Sequence, residues 1–161
     1  MGGRARILAT ELHSNVTGSN EMKTIADRSI LVIEDQKLLN WSLAKSLAKW
    51  GFDVHPVFTA GDAMAQLEKS GFDVILLDYQ LPDLDGLQLA RSIRKARPDA
   101  VIFLVTAFQL NELDVDAGLI DAYFNKPVDF QQLHQALVSI PRWLTGPGKA
   151  GGVRPRMSRK S

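Results

Sequence analysis

The sequence predicts a doubly wound α/β domain, a five-stranded parallel sheet in the order 2-1-3-4-5 with helices on both faces. Three observations predict it. Between Ser29 and Leu144, segments apolar on both faces alternate five times with amphipathic helical segments, the pattern of a parallel sheet covered on both sides. The second strand segment contains Pro56, whose missing donor suits an edge strand, and so an order that puts strand two outermost. Acidic, hydroxyl and basic residues stand where the strand segments end, the place functional groups occupy in open parallel sheets.

The elements follow in order. "SILVIE" (29–34) is a buried strand. Leu39, Leu43, Leu47 and Trp50, spaced by four, four and three, form one face of a helix that Gly51 stops. "DVHPVF" (53–58) is the second strand. "GDAMAQLEKSG" (61–71) is a helix with Ala63, Met64 and Leu67 inward, ended by Gly71. "DVILLD" (73–78) is the third strand, and Pro82 then turns the chain. Residues 86–98 form a helix with Leu87, Ala90, Ile93 and Arg94 on neighbouring positions, launched at Asp85–Gly86 and stopped by Pro98. "AVIFLVT" (100–106) is the most apolar strand. Residues 109–119 read as a weaker helix, acidic and interrupted by Gly118, and "AYFN" (122–125) is a short fifth strand. The last helix, 129–140, has Asp129 and Gln132 at capping-box spacing and a stripe of Phe130, Leu133, Leu137 and Ile140.

Composition sets outer limits. The 161 residues, 45% of them hydrophobic, suffice for one ordinary domain with a core plus tails. The absence of cysteine excludes a disulfide framework, a zinc finger and a thiol nucleophile. Apolar runs fall short of the ~18 residues a membrane span needs, and no apolar h-region follows Arg4 and Arg6. The expectation is a soluble, cytoplasmic protein with no membrane contact. Residues 1–27 read as a flexible leader, 28–144 as the domain, and 145–161 as a basic Gly/Pro-rich flexible tail. Residues 141–161 hold six basic residues and no acid, which leaves 13 basic against 18 acidic residues in 1–140, a net charge of −5.

The strand ends supply a short list: Glu34 and Asp35 after the first, Asp78 on the third, Thr106 on the fourth, and Lys126 after the fifth. Close carboxylates repel and raise a pKa unless a cation intervenes. A hard divalent ion with oxygen ligands, Mg²⁺, suits them. Lys126 supplies a fixed positive charge and Thr106 a hydrogen-bond donor, so the set favours a phosphoryl group beside Asp78. His13, His55 and His134 stand at no ligand spacing. Trp41 sits about 200° from Leu39 on its helix, opposite the buried stripe.

The acidic pair, "LLDYQLPDLDG", "VTA" and "YFNKP" resemble the signature set of response-regulator receiver domains of two-component signalling, whose fold is flavodoxin-like. The separations are 43 residues from Asp35 to Asp78, 28 from Asp78 to Thr106 and 20 from Thr106 to Lys126. The resemblance implies that Asp78 accepts phosphoryl from a phosphohistidine on a histidine kinase or histidine phosphotransfer protein. It implies that Glu34, Asp35, Asp78 and the backbone carbonyl of Gln80 hold Mg²⁺ (or Mn²⁺), and that Thr106 and Lys126 bind phosphoryl oxygens. Tyr123 matches the aromatic that swings inward with Thr106, Gln80 and Phe108 hold positions that tune dephosphorylation, and the Lys126–Pro127 peptide would be cis. The stretch from Thr106 to Lys126 is about two residues shorter than the family pattern, so the helix there is expected to be short or irregular.

The resulting expectation is a stand-alone phosphorylation switch rather than an enzyme acting on a metabolite. It would assist only its own phosphorylation and dephosphorylation, and act through a downstream output protein or as a homodimer. Two alternatives stand beside it: a phosphorylation-independent interaction module, and a nucleic-acid-binding regulator using residues 142–160, although nucleic acid is not the expected partner.

Overall fold

The computed structural model describes residues 27–140. All but residue 27 of the leader (1–27), residues 141–144 of the domain reading (28–144) and the whole basic tail (145–161), and with them His13, lie outside the described residues. Within them the order is β1 (Ser29–Ile33), α1 (Lys37–Lys49), β2 (Asp53–Val57), α2 (Ala60–Lys69), β3 (Val74–Asp78), α3 (Gly86–Ala96), β4 (Val101–Thr106), a 3₁₀ turn (Leu110–Glu112), β5 (Ala122–Asn125) and α4 (Phe130–Ser139). The five strands form one sheet in the order β2-β1-β3-β4-β5, every pair parallel. Both expectations for the fold are met.

Strand alternation divides the core in two. Leu31 and Ile33 of β1, Ile75 and Leu77 of β3, and Ile102 and Leu104 of β4 face α2 and α3 in one cluster. Ile30, Val32, Val74, Leu76, Val101, Phe103 and Val105 face Leu43 and Leu47 of α1 and Leu133 and Leu137 of α4 in the other. The central strands are therefore buried on both sides, which is why they read as continuous apolar runs. β2 lies at the edge with Pro56 opposite Val32. There the absent proline N–H leaves no hole in a ladder.

Local chemistry fixes the helix ends. Gly51, at φ 100°, takes the left-handed position that ends α1. Thr59 accepts from the Asp62 amide to start α2, and Asp129 accepts from the Gln131 and Gln132 amides to start α4. Asp85 caps α3 through Leu87 N–H at 2.7 Å. Asp83 caps a different helix: its two oxygens accept from the amides of Ala60 and Gly61, each at 2.9 Å, tying the loop after β3 to the start of α2. Those amides hold its carboxyl below the usual range.

One predicted element is corrected. Residues 109–119 form no α-helix, only the single 3₁₀ turn, an irregular stretch and a turn at 117–118 in which Gly118 stands at φ 77°. Two arginines of α3 take groups of this segment. Arg91 reaches Asp116 at 2.7 Å and the Asp114 carbonyl at 3.1 Å, while Arg94 reaches the Leu119 carbonyl at 2.9 Å and Asp121 at 3.1 Å. Leu110, Leu113 and Val115 pack on the α3-side core without helical spacing. The irregularity expected from the short Thr106-to-Lys126 stretch is therefore present. Among the described residues, no helix is long and apolar enough to cross a membrane.

Candidate functional site

The carboxyl ends of β1, β3, β4 and β5 bring the named residues to one crevice. Asp78 closes β3 with only 3% of its surface exposed. Its Oδ2 lies 3.2 Å from Lys126 Nζ, and its Oδ1 accepts from Gln80 N–H at 3.4 Å. Glu34 is 1% exposed; its Oε1 accepts from Gln36 N–H at 2.9 Å, and its Oε2 lies 3.1 Å from the same Lys126 Nζ. Asp35 is exposed. One carboxylate oxygen from each of Glu34, Asp35 and Asp78 lies within 4.8 Å of the others. One ammonium therefore bridges two buried carboxylates beside a third that faces water.

The electrostatics follow from burial. Loss of solvent pushes Glu34 up to about 7, helped by the Asp78 charge and opposed by Gln36 N–H and Lys126. Burial likewise raises Asp78; Lys126 opposes the rise and Asp35 adds to it. For Lys126, burial pulls the pKa down, but the Asp78 and Glu34 carboxylates outweigh it and the ammonium is held above its ordinary value. Two carboxylates over one lysine leave the crevice short of positive charge. Oxygen donors so arranged fit a hard divalent cation such as Mg²⁺.

Thr106 ends β4 and is fully buried; its Oγ1 accepts from Phe108 N–H at 3.0 Å. Its carbonyl accepts from Lys126 N–H at 2.9 Å, so the backbones of the hydroxyl and ammonium residues are joined. Tyr123 stands on β5 opposite Leu104, half-buried on the α3-side core. Gln80 is exposed and bridges to Asp85. Phe108 is 38% exposed, its ring edge-on to Tyr79. The Lys126–Pro127 peptide is cis, as the resemblance implies.

Some residues that build the site were not singled out in the sequence. Asn40 is buried, and its Nδ2 donates to the Glu34 carbonyl at 2.8 Å and the Val57 carbonyl at 2.9 Å. It thereby fixes the acidic loop against β2. Its signal was an amide next to Leu39 on the buried stripe. Gly86 starts α3 against the end of β3; a Cβ there would overlap the Asp78 carbonyl and lie 2.7 Å from Tyr79 Cα. Trp41 is 58% exposed with Lys45 Nζ 4.6 Å from its ring centroid, on the outer face its phase indicated. His55 pairs with Asp53, and His134 stacks on Trp50; neither joins the crevice.

Fold and crevice together define a doubly wound α/β domain with an acidic, lysine-bridged pocket at the carboxyl ends of its strands. The family model of the response regulator receiver domain matches residues 30–138. The chain belongs to that family. It is 33% identical over 111 residues to the transcriptional regulatory protein ZraR of Salmonella typhimurium, covering 67% of this chain and 25% of that protein. It is 36% identical over 117 residues to the sensory transduction protein RegX3 of Mycolicibacterium smegmatis, covering 71% of this chain and 50% of that one. The chain thus spans a quarter to a half of these relatives. Among solved structures it is similar to the response regulator TrrA of Thermotoga maritima in complex with Mg²⁺-BeF, with a TM-score of 0.65, 26% identity, and 70% and 98% of the two chains covered. A CheY-like receiver domain from Methanospirillum hungatei matches with a TM-score of 0.67, 29% identity, and 71% and 93% covered.

Proposed function

We propose that this chain is a phosphorylation-controlled receiver in which Asp78 accepts a phosphoryl group from a phosphohistidine on a histidine kinase or phosphotransfer protein. The observation that carries the reading is the buried Asp78 carboxylate sharing Lys126 with Glu34. Glu34, Asp35, Asp78 and the Gln80 carbonyl would hold Mg²⁺, which would supply charge to balance a phosphoryl group. Asp78 would attack through a carboxylate oxygen, and Lys126 and the Thr106 hydroxyl would hold the phosphoryl oxygens. Thr106 turning toward that group would release the Phe108 amide, which its Oγ1 now accepts, and Tyr123 would report the change to β5 as a shift between two states. Gln80 and Phe108 would tune loss of the group. Output would pass through contacts with a downstream protein or a second copy.

The test is incubation with a small acyl phosphate and Mg²⁺, followed by intact mass. The reading predicts gain of one phosphoryl group that Asp78→Asn and a chelator each abolish. No gain in the wild type would return the chain to the phosphorylation-independent interaction module.

A further inference from the structure

The two loops that lead from the acidic residues of the crevice are held by the same stretch of chain, the connection between β2 and α2. The acidic loop meets that connection at Val57. The Val57 carbonyl accepts from Glu34 N–H at 3.2 Å and from Asn40 Nδ2 at 2.9 Å, while Asn40 Nδ2 also donates to the Glu34 carbonyl at 2.8 Å. The loop after β3 meets it at Ala60 and Gly61, whose amides donate to Asp83 Oδ1 and Oδ2, each at 2.9 Å. Val57–Gly61 contributes no carboxylate to the crevice. One end of it nevertheless holds the backbone of Glu34, and the other holds the loop that begins at Asp78.

Neither clamp is required by the helix it touches. α1 buries Leu43 and Leu47 beside Asn40, and an apolar side chain there would avoid the cost of desolvating an amide. α2 already has its cap in Thr59, whose hydroxyl accepts from Asp62 N–H at 3.0 Å. The Gly61 amide lies at the surface, where water would serve it equally well. Asp83 is itself exposed, and holding it still costs conformational entropy without burial in return. The base of its loop is pinned separately, by Tyr79 N–H on the Val105 carbonyl at 2.9 Å and Gly86 N–H on the Tyr79 carbonyl at 2.7 Å. What Asp83 adds is a fixed place for the rest of the loop, as Asn40 does for the acidic one.

We propose that the β2–α2 connection, Val57–Gly61, is the common anchor that sets the divalent-ion affinity of the crevice, and that Asn40 and Asp83 are the positioning residues through which it acts. The inference rests on Glu34, Asp35, Asp78 and the Gln80 carbonyl being the ligands. Oxygens drawn from two separate loops bind one ion well only when the loops keep their spacing before it arrives; otherwise part of the binding energy goes into ordering them. Asn40 fixes the loop of Glu34 and Asp35, Asp83 fixes the loop of Gln80, and both are referred to one short piece of chain. Neither side chain is a ligand. The coupling is reciprocal, so an ion that joins the two loops also steadies the connection.

The experiment titrates Mn²⁺ into the wild type, Asn40→Leu, Asp83→Ala, Asp83→Asn, Leu137→Ala and Asp35→Asn at fixed ionic strength, reading the free ion by electron paramagnetic resonance. Asn40→Leu and Asp83→Ala are expected to weaken binding about tenfold, the low end of what outer partners of a metal site contribute. Asp83→Asn removes the charge but caps a helix as well as aspartate does, so it should stay near the wild-type affinity. Leu137→Ala, a core truncation in the last turn of α4, lowers stability outside both loops and should also bind as the wild type does. In the wild type, Mg²⁺ should slow hydrogen exchange of the Ala60 and Gly61 amides by about fivefold. Wild-type affinity in either Asn40→Leu or Asp83→Ala, an Asp83→Asn as weak as Asp83→Ala, a Leu137→Ala as weak as either, or exchange unmoved by Mg²⁺ would overturn the anchor. Should circular dichroism show Asn40→Leu or Leu137→Ala unfolded, Asn40→Ser, too short to reach both carbonyls, or Leu137→Val takes its place. A wild type that binds no Mn²⁺, or an Asp35→Asn that binds it equally well, rejects the ligand set itself. Binding that Asp35→Asn weakens and the two positioning variants do not rejects only the anchor.

Discussion

Glu34 makes the stability of this domain depend on pH in a direction opposite to that of a carboxylate whose pKa is lowered on folding. Its side chain is 2% exposed, and its pKa stands at about 7 against an ordinary 4.5. The folded state therefore keeps the Glu34 proton to higher pH than the unfolded chain does. Between those values it binds more protons, so stability falls as pH rises. The contribution is fully present below about pH 4.5 and is lost as pH passes about 7. At ~1.4 kcal/mol per tenfold change in proton affinity, the whole effect is about 3 kcal/mol, of which about 2 kcal/mol falls between pH 5.5 and 8. Asp78, also raised by burial, adds in the same direction. Lys126 is raised from 10.5 and Asp83 lowered from 3.8, so both act outside this window. The assay is urea unfolding followed by circular dichroism at pH 5.5, 7 and 8, with chelator present so that no divalent ion compensates the carboxylates. Glu34→Gln should flatten the dependence and leave the variant more stable than the wild type at pH 8 by roughly 1 kcal/mol or more, after its lost pairing with Lys126 is set against the gain. Stability that is level or rises from pH 5.5 to 8, or a Glu34→Gln variant with the wild-type slope, would refute the reasoning.

Three further outcomes are expected. Arg94→Met should cost about 3–5 kcal/mol in urea unfolding, because it leaves the nearly buried Asp121 carboxylate without its guanidinium and frees the Leu119 carbonyl. Gly86→Ala should cost ~2 kcal/mol or more by the same measurement, since the new Cβ must displace the backbone of Asp78 and Tyr79. Trp41→Ala, on a side chain 58% exposed, should change stability by no more than ~0.5 kcal/mol. A larger loss would mean that its contact with Lys45 braces α1.

Much of the fold was legible because the sheet is parallel and central. Burial on both faces forces uninterrupted apolar runs such as Val74–Leu77 and Val101–Val105, and polar residues closing such runs mark the crevice. Pro56 alone fixed the edge. The segment at 109–119 was misread because its fate is set from outside. Arg91 and Arg94 lie 23 to 27 residues from the groups they hold, and no local pattern reports that. Asp83 caps α2, whose first amides lie 22 and 23 residues upstream, and no local pattern reports that either. Asn40 and Asn125 escaped notice for a related reason: each bonds a backbone carbonyl, a partner that carries no side-chain signature.

The central claim is that Asp78 itself takes the phosphoryl group. Reductive trapping after incubation with acetyl phosphate and Mg²⁺ converts an aspartyl phosphate to homoserine, and peptide mass spectrometry then locates it. The account predicts homoserine at Asp78 and at no other carboxylate of the crevice. Homoserine at Asp35 or Glu34-derived reduction product in place of Asp78, or no reduced residue in a folded protein, would contradict it.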